Sequence, residues 1–273
     1  MATKKTQIIT LVCNKGGVGR STTAINIAWS LASSKSKVLV CDLDAQANTS
    51  SSLAKDYQVD VVEDGRHVTS LLKSMGDSAT DYIVDTRNPN IKLLASTLML
   101  DSTEGEIKSL LDLNVFKLFD HFFNKKLRSE FDFIIIDTPP QKSSVLTLNA
   151  LLTSNWYWYV LSAEDQWSLD ARIVSEKIMQ DVRKLNPKIR PLPALMTKFV
   201  NGSSQSIEMK KIAASEFEAG VFKTTIGYST VISKSHSNRK SIHEFNPGHL
   251  VAKNYDSVAL AINRYISNTK KSK

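Results

Sequence analysis

Ile8-Ile9-Thr10-Leu11-Val12-Cys13 runs through Asn14 into Lys15-Gly16-Gly17-Val18-Gly19-Arg20-Ser21-Thr22, and these residues decide the fold. The first six read as a short buried strand. Three glycines in four positions form a turn whose backbone N–H groups can converge on an anion without side-chain obstruction. From Thr22 to Ala32 the apolar residues Ala24, Ile27, Ala28 and Leu31 recur at helical spacing. A helix that starts beside such a turn aims its partly positive N-terminus at the same anion. Strand, glycine loop and helix in this order predict a phosphate loop, with the hydroxyl of Ser21 placed to reach Mg²⁺. The usual loop of this kind ends in Gly-Lys-Ser/Thr, and Arg20 stands at the lysine position. Arginine keeps the charge but is planar and fork-shaped, so it clamps oxygens better than it follows a moving phosphoryl group. That departure predicts slow turnover.

Two further motifs follow in order. Val38–Cys41 is a second apolar strand, and it runs into Asp42-Leu43-Asp44-Ala45-Gln46-Ala47-Asn48. Two carboxylates at i and i+2 at a strand end suit one group that orients a water and one that holds the local network. Phe133-Ile134-Ile135-Ile136-Asp137-Thr138-Pro139-Pro140 is a buried strand stopped by an acid and prolines. Its carboxylate, Asp137, is placed to contact Mg²⁺.

The rest of the chain alternates strand and helix. Ile91–Ala95, Trp156–Leu161 and Leu192–Met196 read as strands. Glu106–Leu127, Leu169–Leu185, Ser206–Glu218 and Tyr255–Ile266 read as helices. Residues 54–90 are polar, carry Gly65, Gly76 and Pro89, and read as an irregular variable insertion. The last residues, 268–273, read as a frayed basic tail. Continuous apolar strands between helices predict an α/β fold: a mostly parallel twisted sheet covered by helices on both faces, in one domain spanning 1–273. Ligands of such sheets bind at the carboxyl ends of the strands, where all three motifs fall.

Composition narrows the function. Of 273 residues, 42% are hydrophobic, enough for a substantial core. The two cysteines, Cys13 and Cys41, lie in strand-like runs and read as buried thiols rather than a disulfide or metal site. No apolar stretch approaches the ~20 residues of a membrane span, so an intracellular, cytoplasmic protein is expected. The net charge of +8 is unevenly spread: residues 180–273 carry 16 Lys+Arg against 6 Asp+Glu. Such a basic last third predicts an anionic partner. His236, His243 and His249 have no metal-ligand spacing.

The quoted motifs resemble the ParA/MinD family of deviant Walker A ATPases, whose loop reads KGGxGK[ST] with an early lysine, here Lys15. Asp-Leu-Asp-Ala-Gln-Ala-Asn, IIIDTPP, the run Ala163–Leu169 and the region Ile242–Tyr255 extend the similarity over nearly the whole chain. The resemblance implies a P-loop NTPase that binds ATP and Mg²⁺ and dimerises around two nucleotides. Lys15 would reach the partner subunit's phosphates. Gly16, Gly17, Val18, Gly19, Arg20, Ser21 and Thr22 would cradle the phosphates. Lys15, Arg20 and Asp44 would be catalytic, with Asp44 positioning the water. Ser21, Asp44 and Asp137 would serve the metal, and Met196 and Pro247 would flank the adenine. Within the family, the C-terminal charge favours double-stranded DNA bound non-specifically. The implied roles are nucleoid association, plasmid or chromosome partition, and a ParB-like partner. Lys198, Lys234, Arg239, Lys240 and Lys253 are the candidate phosphate contacts, with Lys210 and Lys211 behind them. The last helix lacks the bulky, lysine-flanked pattern of a membrane-docking tail. The rival reading is a nucleotide-gated positioning scaffold that binds a protein instead of DNA.

Overall fold

The computed structural model is described for residues 5–13, 15–74, 78–109, 118–140, 144–164 and 169–271. The strands are β1 (Gln7–Val12), β2 (Val38–Asp42), β3 (Ile83–Asp85), β4 (Ile91–Leu94), β5 (Phe133–Asp137), β6 (Trp156–Ser162), β7 (Arg190–Pro191) and β8 (Leu195–Thr197). The helices of the first half are α1 (Arg20–Ser33), α2 (Asn48–Leu53), α3 (Val68–Ser74), α4 (Leu100–Ser109), α5 (Leu118–Phe122) and α6 (Lys125–Glu130). Those of the second half are α7 (Val145–Thr153), α8 (Leu169–Leu185), α9 (Ser204–Glu216), α10 (Thr230–Ser237), α11 (Ile242–Phe245) and α12 (Leu250–Lys271).

The sheet runs β3-β4-β2-β5-β1-β6-β7, with β8 continuing beside β6. Every pairing is parallel except that of β3 with β4. The α/β expectation and the mostly parallel sheet are therefore borne out. Successive residues of a strand point to opposite faces. Ile9, Leu11, Val38, Val40, Phe133 and Ile135 enter one cluster with α1 and α12. Ile8, Leu39, Cys41, Ile134 and Ile136 enter a second cluster on the other face, with α3, α5 and α7. A strand buried on both sides needs apolar residues at both parities, which is why these runs are unbroken in the sequence.

Helix α1 is enclosed as well: Ala24, Ile25, Ile27, Ala28 and Leu31 are all buried. Its buried polar residues are satisfied from the C-terminal region, as burial requires. Asn26 accepts from the Ile242 N–H at 2.9 Å and donates to the Thr22 carbonyl. Ser30 meets His243 at 3.2 Å. The last third thus packs on the helix that begins at the phosphate loop.

Three expectations are corrected. Residues 54–90 are not irregular: they hold α3, β3 and a wide helical turn at Tyr57–Glu63, and they bury Val61, Val68, Leu71, Leu72 and Val84. Short apolar runs between polar residues hid these elements. The run 192–196 is split, because Pro191 and Pro193 lack the N–H a continuous ladder needs; β7 ends before it and β8 starts at Leu195. The segment 268–271 continues α12 to Lys271 instead of fraying, since Tyr255, Val258, Ala259, Ile262 and Ile266 anchor the helix on the core. Asp165–Ser168 of the family-like run lie outside the described residues.

Candidate nucleotide site

Strand β1 lies between β5 and β6, whereas its crossover α1 leads to β2 beyond β5. Chain direction therefore diverges at the carboxyl end of β1, which opens a crevice there. The glycine loop fills its floor. Gly17 and Gly19 have φ of 74° and 92°, left-handed values that a side chain would strain. Gly19 also caps α1, so the first free N–H groups of that helix face the crevice. An ideal Cβ on Gly16 or Gly17 meets nothing within 4 Å. The space above the loop is a cavity of about 500 Å³, whose walls include Gly16–Thr22, Asp44, Gln46, Asn48 and Pro140.

The opposite wall was less legible in the sequence. Thr197, at the end of β8, donates to the Val18 carbonyl at 2.7 Å and so fixes the loop to the sheet. Lys198 follows with φ of 50°, and its ammonium sits 3.3 Å from Glu164. Ile226, Ile232, His236 and Tyr255 complete an apolar end suited to a flat base. His236 meets the Thr22 hydroxyl at 3.1 Å. These four come from segments far along the chain with no local motif.

The three acids sit in different surroundings. Asp42 is fully buried and accepts from the Ser50 N–H at 2.8 Å, the Ser50 hydroxyl at 2.7 Å and the Asp44 N–H at 3.1 Å. Burial and the neighbouring Asp137 push its carboxyl far above the usual range. Asp44 is partly exposed, lines the cavity, and accepts from the Gln46 N–H at 3.0 Å. Asp137 accepts from Thr49 at 2.8 Å through Oδ2, and Oδ1 is buried with no hydrogen-bond partner. Burial raises its pKa, while Arg20, Ser21 and Thr49 pull it back down. An orphaned carboxylate oxygen beside the Ser21 hydroxyl is a fitting place for a hard, oxygen-seeking cation.

Arg20 differs from the expected phosphate clamp. Its side chain is buried, and Nη1 donates to the Pro139 carbonyl at 2.8 Å and the Cys13 carbonyl at 3.2 Å. The guanidinium is long enough to pass beneath the loop and tie β1's end to β5's end. Its charge lowers the pKa of Asp137, and the residue also lines the cavity. Met196 is also corrected: it is 1% exposed and lies in the core cluster with Tyr157 and Met179, because alternation along β8 turns it from the cavity that Thr197 faces. Pro247 is exposed and is not part of the cavity wall. Lys198 belongs to the cavity wall rather than to an open basic surface. Lys234, Arg239, Lys240 and Lys253 are exposed, the first three at and just after α10, which also carries His236 into the cavity. Lys210 donates to the Lys223 carbonyl and sits over Phe199, so it is engaged internally.

A mostly parallel sheet with a glycine loop entering a helix after β1, and acids paired at the ends of β5 and β2, defines a P-loop nucleotide-binding protein. The AAA domain family model matches residues 6–190, and the chain belongs to that family, among its ParA/MinD ATPases. It is 29% identical over 238 residues to the chromosome partitioning protein ParA of Myxococcus xanthus, spanning 86% of this chain and 80% of that one. It is likewise 29% identical over 249 residues to the chromosome-partitioning ATPase Soj of Thermus thermophilus, spanning 90% and 91%. Among solved structures, cobyrinic acid a,c-diamide synthase of Mycobacterium smegmatis, crystallised with an ATP analogue and magnesium, shares the fold. Its TM-score is 0.78 at 24% identity, over 96% of each chain. No helix among the described residues is long and apolar enough to cross a membrane.

Proposed function

We propose that this protein is a partition ATPase that binds Mg-ATP, dimerises around it and holds DNA non-specifically in the nucleoid until a ParB-like partner triggers release. The observation that carries the reading is the cavity that joins the glycine loop and Asp44, with buried Asp137, whose Oδ1 has no hydrogen-bond partner, at the end of the adjacent strand β5. Bound Mg-ATP would supply the transferable phosphoryl group and a metal charge to stabilise it. The loop N–H groups from Gly16 to Thr22 take the phosphate oxygens. Ser21 and Asp137 would hold the cation. Asp44, partly exposed at the cavity wall, accepts a hydrogen bond from the attacking water and sets its line of approach. Lys15, exposed at the mouth of the loop, reaches the phosphates of a second copy. Ile226, Ile232, His236 and Tyr255 take the base end in place of Met196 and Pro247.

Lys234, Arg239, Lys240 and Lys253 form the DNA-facing group, on the same side of the molecule as α10 and the start of α12. Nucleotide-driven dimerisation doubles such a surface, and each added phosphate contact steepens the salt dependence. Turnover is slow, because Arg20 is tied to two carbonyls and is not free to move with the leaving phosphoryl group.

The test is fluorescence anisotropy of a labelled DNA duplex, with ATP, ADP and no nucleotide, over a salt series. ATP-dependent binding that weakens steeply with salt supports the proposal. Absence of binding at low salt with ATP present would sink it and leave the nucleotide-gated scaffold, a reading that the internal engagement of Arg20 favours.

A further inference from the structure

Arg87, in the turn between β3 and β4, joins parts of the chain that are far apart in sequence. Its Nη1 donates to the Ala54 carbonyl at 2.6 Å, and its Nη2 to the Ser52 carbonyl, both at the end of α2. Nη2 also donates to the Arg239 carbonyl at 3.0 Å. Nε and Nη2 reach the two carboxylate oxygens of Glu244, at 2.6 and 3.3 Å. Only a planar fork of donors can hold a carboxylate and several carbonyls at once, which is why the residue is arginine.

One jaw of this clamp is fixed. Helix α2 is tied to the acids of the nucleotide site, since Thr49 donates to Asp137 and Ser50 to Asp42. The other jaw is the turn that leads from α10 into α11. There Arg239 has φ of 50°, a left-handed value that the residue after a helix usually leaves to glycine or asparagine. The Arg239 N–H returns to the His236 carbonyl at 2.8 Å and the Lys240 N–H to the Ser235 carbonyl at 3.0 Å, so this strained residue closes α10. Glu244 accepts from the Ser241 N–H and hydroxyl, each at 2.9 Å, and so starts α11. A left-handed residue with a side chain persists where its surroundings over-determine it. Arg87 does this by gripping the Arg239 carbonyl and the Glu244 carboxylate on either side of Ser241. Arg239 and Lys240 are themselves exposed, and neither side chain makes an ion pair or hydrogen bond among the described residues.

We propose that Arg87 is a positioning residue for the DNA-facing surface: by clamping the turn at Arg239 to the end of α2, it fixes Arg239 and Lys240 in the arrangement that meets neighbouring phosphates of a duplex. Arg87 touches no phosphate itself. The proposal rests on the DNA reading above and adds to it a residue from the stretch 54–90, outside the basic last third.

The test is the salt dependence of duplex binding by the full chain with ATP, followed by anisotropy. It compares the parent with Arg87→Met, Glu244→Gln, Arg239→Ala/Lys240→Ala and the triple variant Arg87→Met/Arg239→Ala/Lys240→Ala. Each phosphate contact contributes about 0.9 to the slope of log K against log salt. Arg87→Met should flatten the slope by about 1–2, as Arg239→Ala/Lys240→Ala does, with ATP affinity within about twofold of the parent. The triple variant should be no flatter than the double, because the same contacts cannot be lost twice. Lys253→Ala, on α12, should add its own loss in the Arg87→Met background. A residue that served only the stability of the fold would leave the slope unchanged. Glu244→Gln keeps an acceptor for Ser241 but removes the ionic partner of Arg87, so it carries the same test if Arg87→Met does not fold. The parent's slope in both variants, or a flattening that adds in full to that of Arg239→Ala/Lys240→Ala, overturns the proposal and leaves the partition reading standing. No binding by the parent at low salt sinks both.

Discussion

Arg20→Met tests whether the loop arginine is a strut or a phosphate clamp. Methionine keeps most of the length and none of the charge. Two hydrogen bonds from a charged donor disappear, to the Pro139 carbonyl at 2.8 Å and the Cys13 carbonyl at 3.2 Å. Each such bond contributes about 1.5–3 kcal/mol. Asp137 loses the nearby positive charge that lowers its pKa, so its carboxylate takes up a proton or stays buried without compensation. The two losses overlap, and leaving a buried carboxylate without its compensating charge costs about 3–5 kcal/mol in total. With a urea m-value of about 3 kcal/mol/M, the midpoint should fall by roughly 1–1.7 M at unchanged m. Arg20→Lys keeps the charge but reaches only one carbonyl, and should cost about 1–2 kcal/mol. The assay is urea unfolding of nucleotide-free protein at neutral pH, followed by tryptophan fluorescence. If Arg20→Met unfolds within about 0.5 kcal/mol of the parent, the strut is refuted and the arginine is held for a ligand instead.

The other expectations are smaller in scope. Thr197→Val removes the hydroxyl that holds the Val18 carbonyl, so stability should fall by about 1–3 kcal/mol and nucleotide affinity, measured by calorimetry, should weaken with it. Ser50→Ala strips the hydroxyl donor from buried Asp42 and the acceptor used by the Ser96 N–H, while the Ser50 N–H donor survives, and should cost about 2 kcal/mol in thermal or urea unfolding. Asp44→Asn should abolish turnover while leaving calorimetric ATP affinity within about threefold, since uniform binding does not depend on the water-orienting group. Burial pushes the Tyr157 phenol up to about 12. The native state then binds more protons than the unfolded chain above the ordinary phenol range, so stability should fall as pH rises from about 10 toward 12. A pH series of urea midpoints that stays flat there would contradict this.

How far the sequence could be read depended on whether a feature was local. The phosphate loop, Asp42, Asp44 and Asp137 lie within short stretches with a strand context; the loop and Asp44 line the cavity, while Asp42 and Asp137 are buried at the ends of β2 and β5. Helix α8 and the strands β1, β2, β5 and β6 were legible because a buried strand must be apolar on both faces and a surface helix on one. The element boundaries in 54–90 were not, since the residues buried there, such as Val61 and Val84, are separated by polar turns that mask any period. Met196 was misplaced by one position, and alternation along β8 makes one position the difference between core and cavity.

By itself, then, the order of residues determined a parallel sheet, an anion-binding loop at its carboxyl edge and the acids beside that loop, because each follows from backbone geometry over a few residues. Only the tertiary structure decided what those groups touch. It brought Thr197 and His236 across the chain to the loop, turned Lys198 into a cavity wall, and showed the Arg20 guanidinium bound to the carbonyls of Cys13 and Pro139. The physical reason is that burial, pairing and direction of a long side chain depend on neighbours more than a hundred residues away, and no local pattern encodes them.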